Sequence, residues 1–331
     1  MKSISIKYSL HIFSCSLLLL LMLDAKSQSA APAAPQTKSI LIANATAHIG
    51  NGQVIENSLI GIKNSLIEFV YDATTVRIAD LKFDTIIQAQ GKHVYPGLIA
   101  MNTNIGLSEI EMVRATNDYS ETGDLNSSAR SAIAYNTDSK VTPTIRSNGV
   151  LLAQVVPQGG MVSGTSSVFK LDGWNWEDAL YKEDDALHMY WPQMTVQRGW
   201  WAAPEEEQRE KMRKEIDHIK KLFIDAKVYC NAAVIAEPNL NLQAMCEVIK
   251  GNRKLYVHAQ HVKQITSAVN FCNEYKINMV LVGGDDAWRL APLLKENNIP
   301  VVITRTQQLP SRQDEDIDIW FKMPAILKKL E

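Results

Sequence analysis

The chain has 331 residues, 46% of them hydrophobic, and 34 basic against 36 acidic side chains. That length buries a sizeable core and suggests one large domain with a smaller companion. A net charge of −2 supplies neither the basic excess that nucleic acid requires nor an acidic tail.

The N-terminus reads as an export signal. Lys2 and Lys7 form its positive end, "SLLLLLML" its apolar centre, and Ala25-Lys26-Ser27 its small-residue site, which places cleavage after Ser27. The apolar run is shorter than the roughly 20 residues of a membrane-spanning helix, so no stable span remains after cleavage. Cys15 precedes the leucine run instead of following it, which argues against lipidation. Residues 1–27 are thus a signal peptide, 28–37 a disordered leader, and the mature chain is expected to be exported, periplasmic or secreted. Cys230, Cys246 and Cys272 remain, an odd count at wide spacing without a CxxC pair. They read as buried free thiols, with one disulfide as the alternative in an oxidising exterior.

Residues 38–95 are strand-like. "SILIANATAHIG", "SLIGIKNSLIEFVY" and "DTIIQAQGKHVY" are rich in Ile, Val, Leu and Thr, and the Gly50-Asn51-Gly52 turn interrupts them. A small β-sandwich is expected. From Pro96 onward strands alternate with helices: strands at 97–104, 149–157, 166–173, 254–259, 277–284 and 299–304, helices at 204–228, 240–251, 262–275 and 286–297. The 204–228 helix is Glu-rich at its start and Lys-rich later, as the helix dipole favours. Strands apolar throughout and separated by helices predict a parallel sheet covered on both faces. Six are visible, two short of a (β/α)₈ barrel.

Here the residues become familiar. "NATAHIGNGQVIENSLIGIKNSLIEFV", then "IIQAQGKHVYPGLIAMNTN", resembles the opening of the amidohydrolase superfamily, in particular its exported imidazolonepropionase-like branch, which runs through "GK.V.PGLID.HTH" into the first barrel strand. "PTIRSNGVLLAQVVPQGGMVSGTSSVFKLDGWNWEDA" and "LYVHAQ" with "INMVLVGGDDAWRLAPLLKENNIPVVIT" are similar to the same branch, so the likeness spans 39–304. It implies an α/β fold, a β-sandwich at 38–95 packed on an incomplete TIM-like (β/α) barrel at 96–331, and metal-dependent hydrolysis of a C–N bond in a small amide or cyclic amide.

The resemblance also exposes departures. Where the family carries His-x-His, this chain has Asn102-Thr103-Asn104. A neutral amide oxygen is a weak ligand for zinc beside an imidazole nitrogen, so Asn102 and Asn104 are degenerate ligand positions. His258 matches a family ligand, but Gly283-Gly284 stands where a further histidine is expected. The closing aspartate strand is not reached. A zinc ion is therefore implied by resemblance and weakly supported by the residues, and no catalytic group is named. A partner chain completing the barrel is an expectation, as is a non-catalytic role assembling with an active amidohydrolase.

The remaining candidates are weaker. Gln158-Gly159-Gly160, in a loop after a barrel strand, can line a substrate pocket. The tryptophans 174, 176, 191, 200 and 201 offer stacking surfaces but read better as packing. "QDEDID" at 313–318 lacks an EF-hand pattern and reads as a solvated turn. His218 and His261 read as surface residues and His48 and His93 as structural, while His188 has no assignable place.

Overall fold

The computed structural model describes residues 32–77, 81–310 and 312–329. The expected signal peptide and the first residues of the leader lie outside these.

The N-terminal strands are β1 (Ile40–His48), β2 (Val54–Lys63), β3 (Leu66–Asp72), β4 (Thr85–Gln88) and β5 (His93–Val94). Strict alternation along β1 buries Leu41, Ala43, Ala45 and Ala47 on one face. Asn64 and Ser65 both take positive φ, 51° and 61°, and close a two-residue hairpin between β2 and β3. The order is β3-β2-β1-β4, with β5 also on β1. Among the described residues these strands form one sheet, with Phe69 and Phe83 packed over Leu41 and Leu59. Among the described residues a second sheet facing this one, as a sandwich would have, is not found.

The second sheet begins with β6 (Leu98–Thr103). In chain order follow α1 (Ser131–Ala134), α2 (Val141–Ser147), β7 (Val150–Val155), β8 (Val162–Lys170), α3 (Trp176–Ala179) and β9 (Leu180–Tyr190). Then come α4 (Glu205–Asn231), α5 (Leu240–Ile249), β10 (Lys254–Ala259), α6 (Val262–Tyr275), β11 (Met279–Gly283), α7 (Ala291–Glu296), β12 (Val301–Val302) and α8 (Ile319–Lys328). The seven strands lie in sequential order from β12 to β6, as in a barrel.

The sheet is not wholly parallel. β8 runs antiparallel to both β7 and β9. The connection from β7 to β8 spans only residues 156–161, and that from β8 to β9 only 171–179. Parallel neighbours need a crossover of about a dozen residues or more, so these connections can only reverse the chain. Strand β9, hidden in the charged run "YKEDDALHMY", is the seventh strand that composition concealed.

The helices cover one face of β9–β11. In α4, Ile219, Leu222, Phe223 and Ala226 recur at helical spacing and are buried. In α6, Ile265, Ala268, Val269 and Cys272 do the same. Both stripes pack with Leu187, Met189, Leu255, Val257 and Leu281 from the strands in one core.

The thiols differ from the expectation. Cys230, at the end of α4, is disulfide-bonded to Cys246 of α5, while Cys272 stays free and buried. Helices packed side by side bring together two residues 16 apart that spacing alone left unpaired. Burial pushes the Cys272 thiol up to about 12. Serine at both Cys230 and Cys246 is expected to lower stability by about 3 kcal/mol, the chain entropy a loop of this length removes from the unfolded state. Urea unfolding of the oxidised and doubly substituted proteins measures this, and equal midpoints would contradict the pairing.

Candidate functional site

Alternation along β9 and β10 sorts their side chains. Leu187, Met189, Leu255, Val257 and Ala259 face the helices. Ala186 and Tyr256 face the interior with Val280 and Val282. His188, Tyr190 and His258 share that parity and therefore that face. In register, His188 stands beside Tyr256, and His258 between Tyr190 and Val282.

The two imidazoles touch. His188 Nδ1 lies 3.0 Å from His258 Nε2, and His188 Nε2 lies 2.9 Å from Ser166 Oγ of β8. Ser166 Oγ donates to the Ala186 carbonyl at 3.3 Å. Tyr190 stacks on His258 with centroids 4.1 Å apart and planes 21° from parallel. His188 is wholly buried, and His258 is 9% exposed. Burial first, then the neighbouring His258, pushes His188 well below the ordinary histidine range. Burial alone holds His258 down at about 4. Both rings are therefore uncharged at neutral pH.

A second polar set lies on β6, β7, β9 and β10. The Asn102 backbone N–H donates to Gln154 Oε1 at 3.3 Å, and Gln154 Nε2 donates to Asp185 Oδ2 at 2.9 Å. Asp185 pairs with Lys182 at 2.6 Å. Burial raises the Tyr256 hydroxyl, Asp185 raises it further, and its hydrogen bond to Gln154 opposes both.

Asn102 has φ of +51°, and the β6–β7 register shifts between Ala100 and Thr103. The left-handed residue interrupts the strand, so the two-residue alternation that would give Asn102 and Asn104 a common face fails there. At Gly283 a Cβ would come within 2.3 Å of the Gln260 amide. The place of a further family histidine is thus filled by a neutral amide from β10's end.

These donors do not fit a tightly held zinc ion. The converging nitrogens of His188 and His258 are spent on each other, the nearby amides are neutral, and among the described residues no three His, Cys, Asp or Glu side chains gather around one point. Cys₃- or His₃-type sites have no counterpart here.

A cavity of about 700 Å³ lies at the C-terminal end of β9, lined by Gly160, Met161, Tyr190 and Trp191 and by Glu207 and Lys214 of α4; of the residues around the imidazoles, Tyr190 alone lines it. Gly160 has φ of +68°, and a Cβ there would lie 2.8 Å from the Gly123 carbonyl. Of the expected loop, Gly160 reaches the cavity wall, while Gln158 donates its backbone N–H to Tyr119 and Gly159 packs against Ser120.

The other candidates scatter. Trp191 is buried in the main core, whereas Trp174, Trp200 and Trp201 are exposed. His48 and His93 pair at 3.0 Å at the end of β1, and His218 lies on the cavity rim of α4. His261 caps α6 and lies 3.6 Å from buried Asp286, which Arg312 also holds. Burial raises the Asp286 carboxyl, but the Arg312 hydrogen bond and the Val262 N–H outweigh it and leave it lowered. Asp314, within "QDEDID", pairs with Arg289 at 2.9 Å. Sequence reasoning missed His188, Ser166 and Tyr190. The signal was the alternation of His188 and Tyr190 with Leu187 and Met189, a half-buried strand's pattern.

The lowered histidines predict a pH dependence of stability. The unfolded chain takes up protons at these rings near pH 6.5, whereas native His258 resists until about 4. Stability is fully present above pH 6.5 and falls as the pH drops toward 4, by about 3 kcal/mol for His258. His188 adds in the same direction. Urea unfolding between pH 7.5 and 4 measures this, and His258→Gln should flatten the slope.

No family model and no curated protein sequence matches the chain. Among solved structures it is similar to an amidohydrolase from Thermotoga maritima MSB8, with a TM-score of 0.70 and 20% identity, covering 88% of this chain and 76% of that one. Weaker likenesses are to A. niger ochratoxinase, TM-score 0.39 and 15% identity over 88% and 71% of the two chains, and to E. coli guanine deaminase, 0.35 and 15% over 81% and 68%. At 20% identity the first likeness concerns architecture: the chain has the fold of an amidohydrolase.

Proposed function

We propose that this chain is an exported hydrolase that cleaves a C–N bond in a small amide or cyclic amide, with a pared-down site and weak turnover. The observation that carries this reading is the pair of buried, uncharged imidazoles on adjacent parallel strands of an amidohydrolase-like fold, with a cavity of about 700 Å³ lined by Tyr190. A neutral imidazole can take a proton from an attacking water. His258, the ring with residual exposure, is the group assigned to that step, and Tyr190 orients it by stacking. Zinc, which the resemblance implies, is given no step because the donors around His188 and His258 do not fit it. Purified full-length protein incubated with a panel of five- and six-membered cyclic amides is expected to show slow ring opening, reduced at least tenfold in His258→Ala. Turnover that survives the substitution would refute this assignment.

A second reading has its own observation. Edge strands β4 and β6 expose apolar side chains: Ile86 and Ile87 on β4, Leu98, Ile99 and Met101 on β6. Natural edge strands are normally protected by charge or cover. A partner polypeptide adding a strand along β6, completing the barrel, accounts for that surface and would make this chain an assembly subunit. The isolated chain is then expected to self-associate in light scattering, and Ile99→Lys with Met101→Lys to keep it monomeric. Equal behaviour of both proteins counts against this reading.

A further inference from the structure

The order of proton donation around the two histidines follows from their anchor. A backbone carbonyl only accepts. Ser166 has a single hydroxyl proton and directs it to the Ala186 carbonyl at 3.3 Å. Its oxygen then receives the Nε2–H of His188 across 2.9 Å. A neutral imidazole carries one N–H, so His188 Nδ1 is a bare lone pair and receives the Nε2–H of His258 across 3.0 Å. By the same count His258 Nδ1 has no proton. That nitrogen makes no hydrogen bond within the described residues, and His258 is the member of the chain that keeps some exposed surface.

We infer that the chain Ala186–Ser166–His188–His258 fixes Nδ1 of His258 as the hydrogen-bond acceptor of the barrel interior, and that the ligand taken there is a small neutral molecule presenting an N–H. An anion is disfavoured, because it would meet a lone pair. Tyr190, flat against His258 and part of the cavity wall, suits a planar ring. Ser166 and His188 are positioning residues, acting through His258. The ligand class rests on the C–N hydrolase reading; the direction of the chain does not.

The test is long-range ¹H–¹⁵N NMR of the histidine rings in the full protein at pH 7, with and without 2-imidazolidinone. Both His188 and His258 are expected as Nε2–H tautomers, and 2-imidazolidinone is expected to shift His258 Nδ1. Its 1,3-dimethyl derivative, which has no N–H, should bind about tenfold more weakly. Ser166→Ala should release the His188 tautomer into a mixture. If that variant does not fold, the wild-type tautomers decide the question. An Nδ1–H tautomer at His258, or a stoichiometric zinc ion that shifts both rings, overturns the chain. Failure of 2-imidazolidinone to bind, or equal binding of the two compounds, overturns the ligand assignment. None of these readouts needs turnover, so a protein that hydrolyses nothing can still uphold the chain.

Discussion

Two imidazole rings whose facing nitrogens lie 3.0 Å apart, with almost no exposed surface, set the terms for the rest of this protein. Among the described residues no carboxylate pairs with either ring, so both stay neutral, and three of their four ring nitrogens are satisfied within the fold. Ser166 supplies one contact and the Ala186 carbonyl ends the sequence of donations. Ser166 reaches His188 because β8 runs antiparallel beside β9, which places it on the same face. The reversed strand is therefore part of the site's chemistry as well as of its topology.

The polar interior depends on a well-packed exterior. Leucine, methionine and valine from β9, β10 and β11 meet the stripes of α4 and α6, and Phe223, Phe271 and Tyr275 pack against one another among them. Burial of this kind contributes roughly 25 cal/mol per Å² of apolar surface removed from water. It holds the strands in a fixed register, and a register slip of one residue would turn both histidines out of the interior. The outer core and the inner site are two faces of the same strands.

Much of this was legible in the sequence. The apolar strands β10 and β11, the Glu-first helix α4 and the periodic helix α6 follow from local pattern, and the "YPGLIAMNTN" line carried a likeness whose architecture the fold matches. What local pattern could not supply was pairing. Glu183, Asp184 and Asp185 make the start of β9 read as a loop, because the charges that hold them, on Arg130, Arg253 and Lys182, come partly from elsewhere in the chain. His188 had no place until that strand existed. Asn102 and Asn104 read as a strand pair because nothing local announces that Asn102 itself is left-handed. The cysteine bridge was hidden for the same reason, since it follows from how two helices lie together.

That bridge bears on how the molecule is made. A covalent tie between the end of α4 and α5 forms only where thiols can be oxidised. Batches produced in a reducing cytosol and in an oxidising compartment share one sequence yet are chemically distinct species, separated by two hydrogens. Any comparison of their properties is a comparison of two molecules.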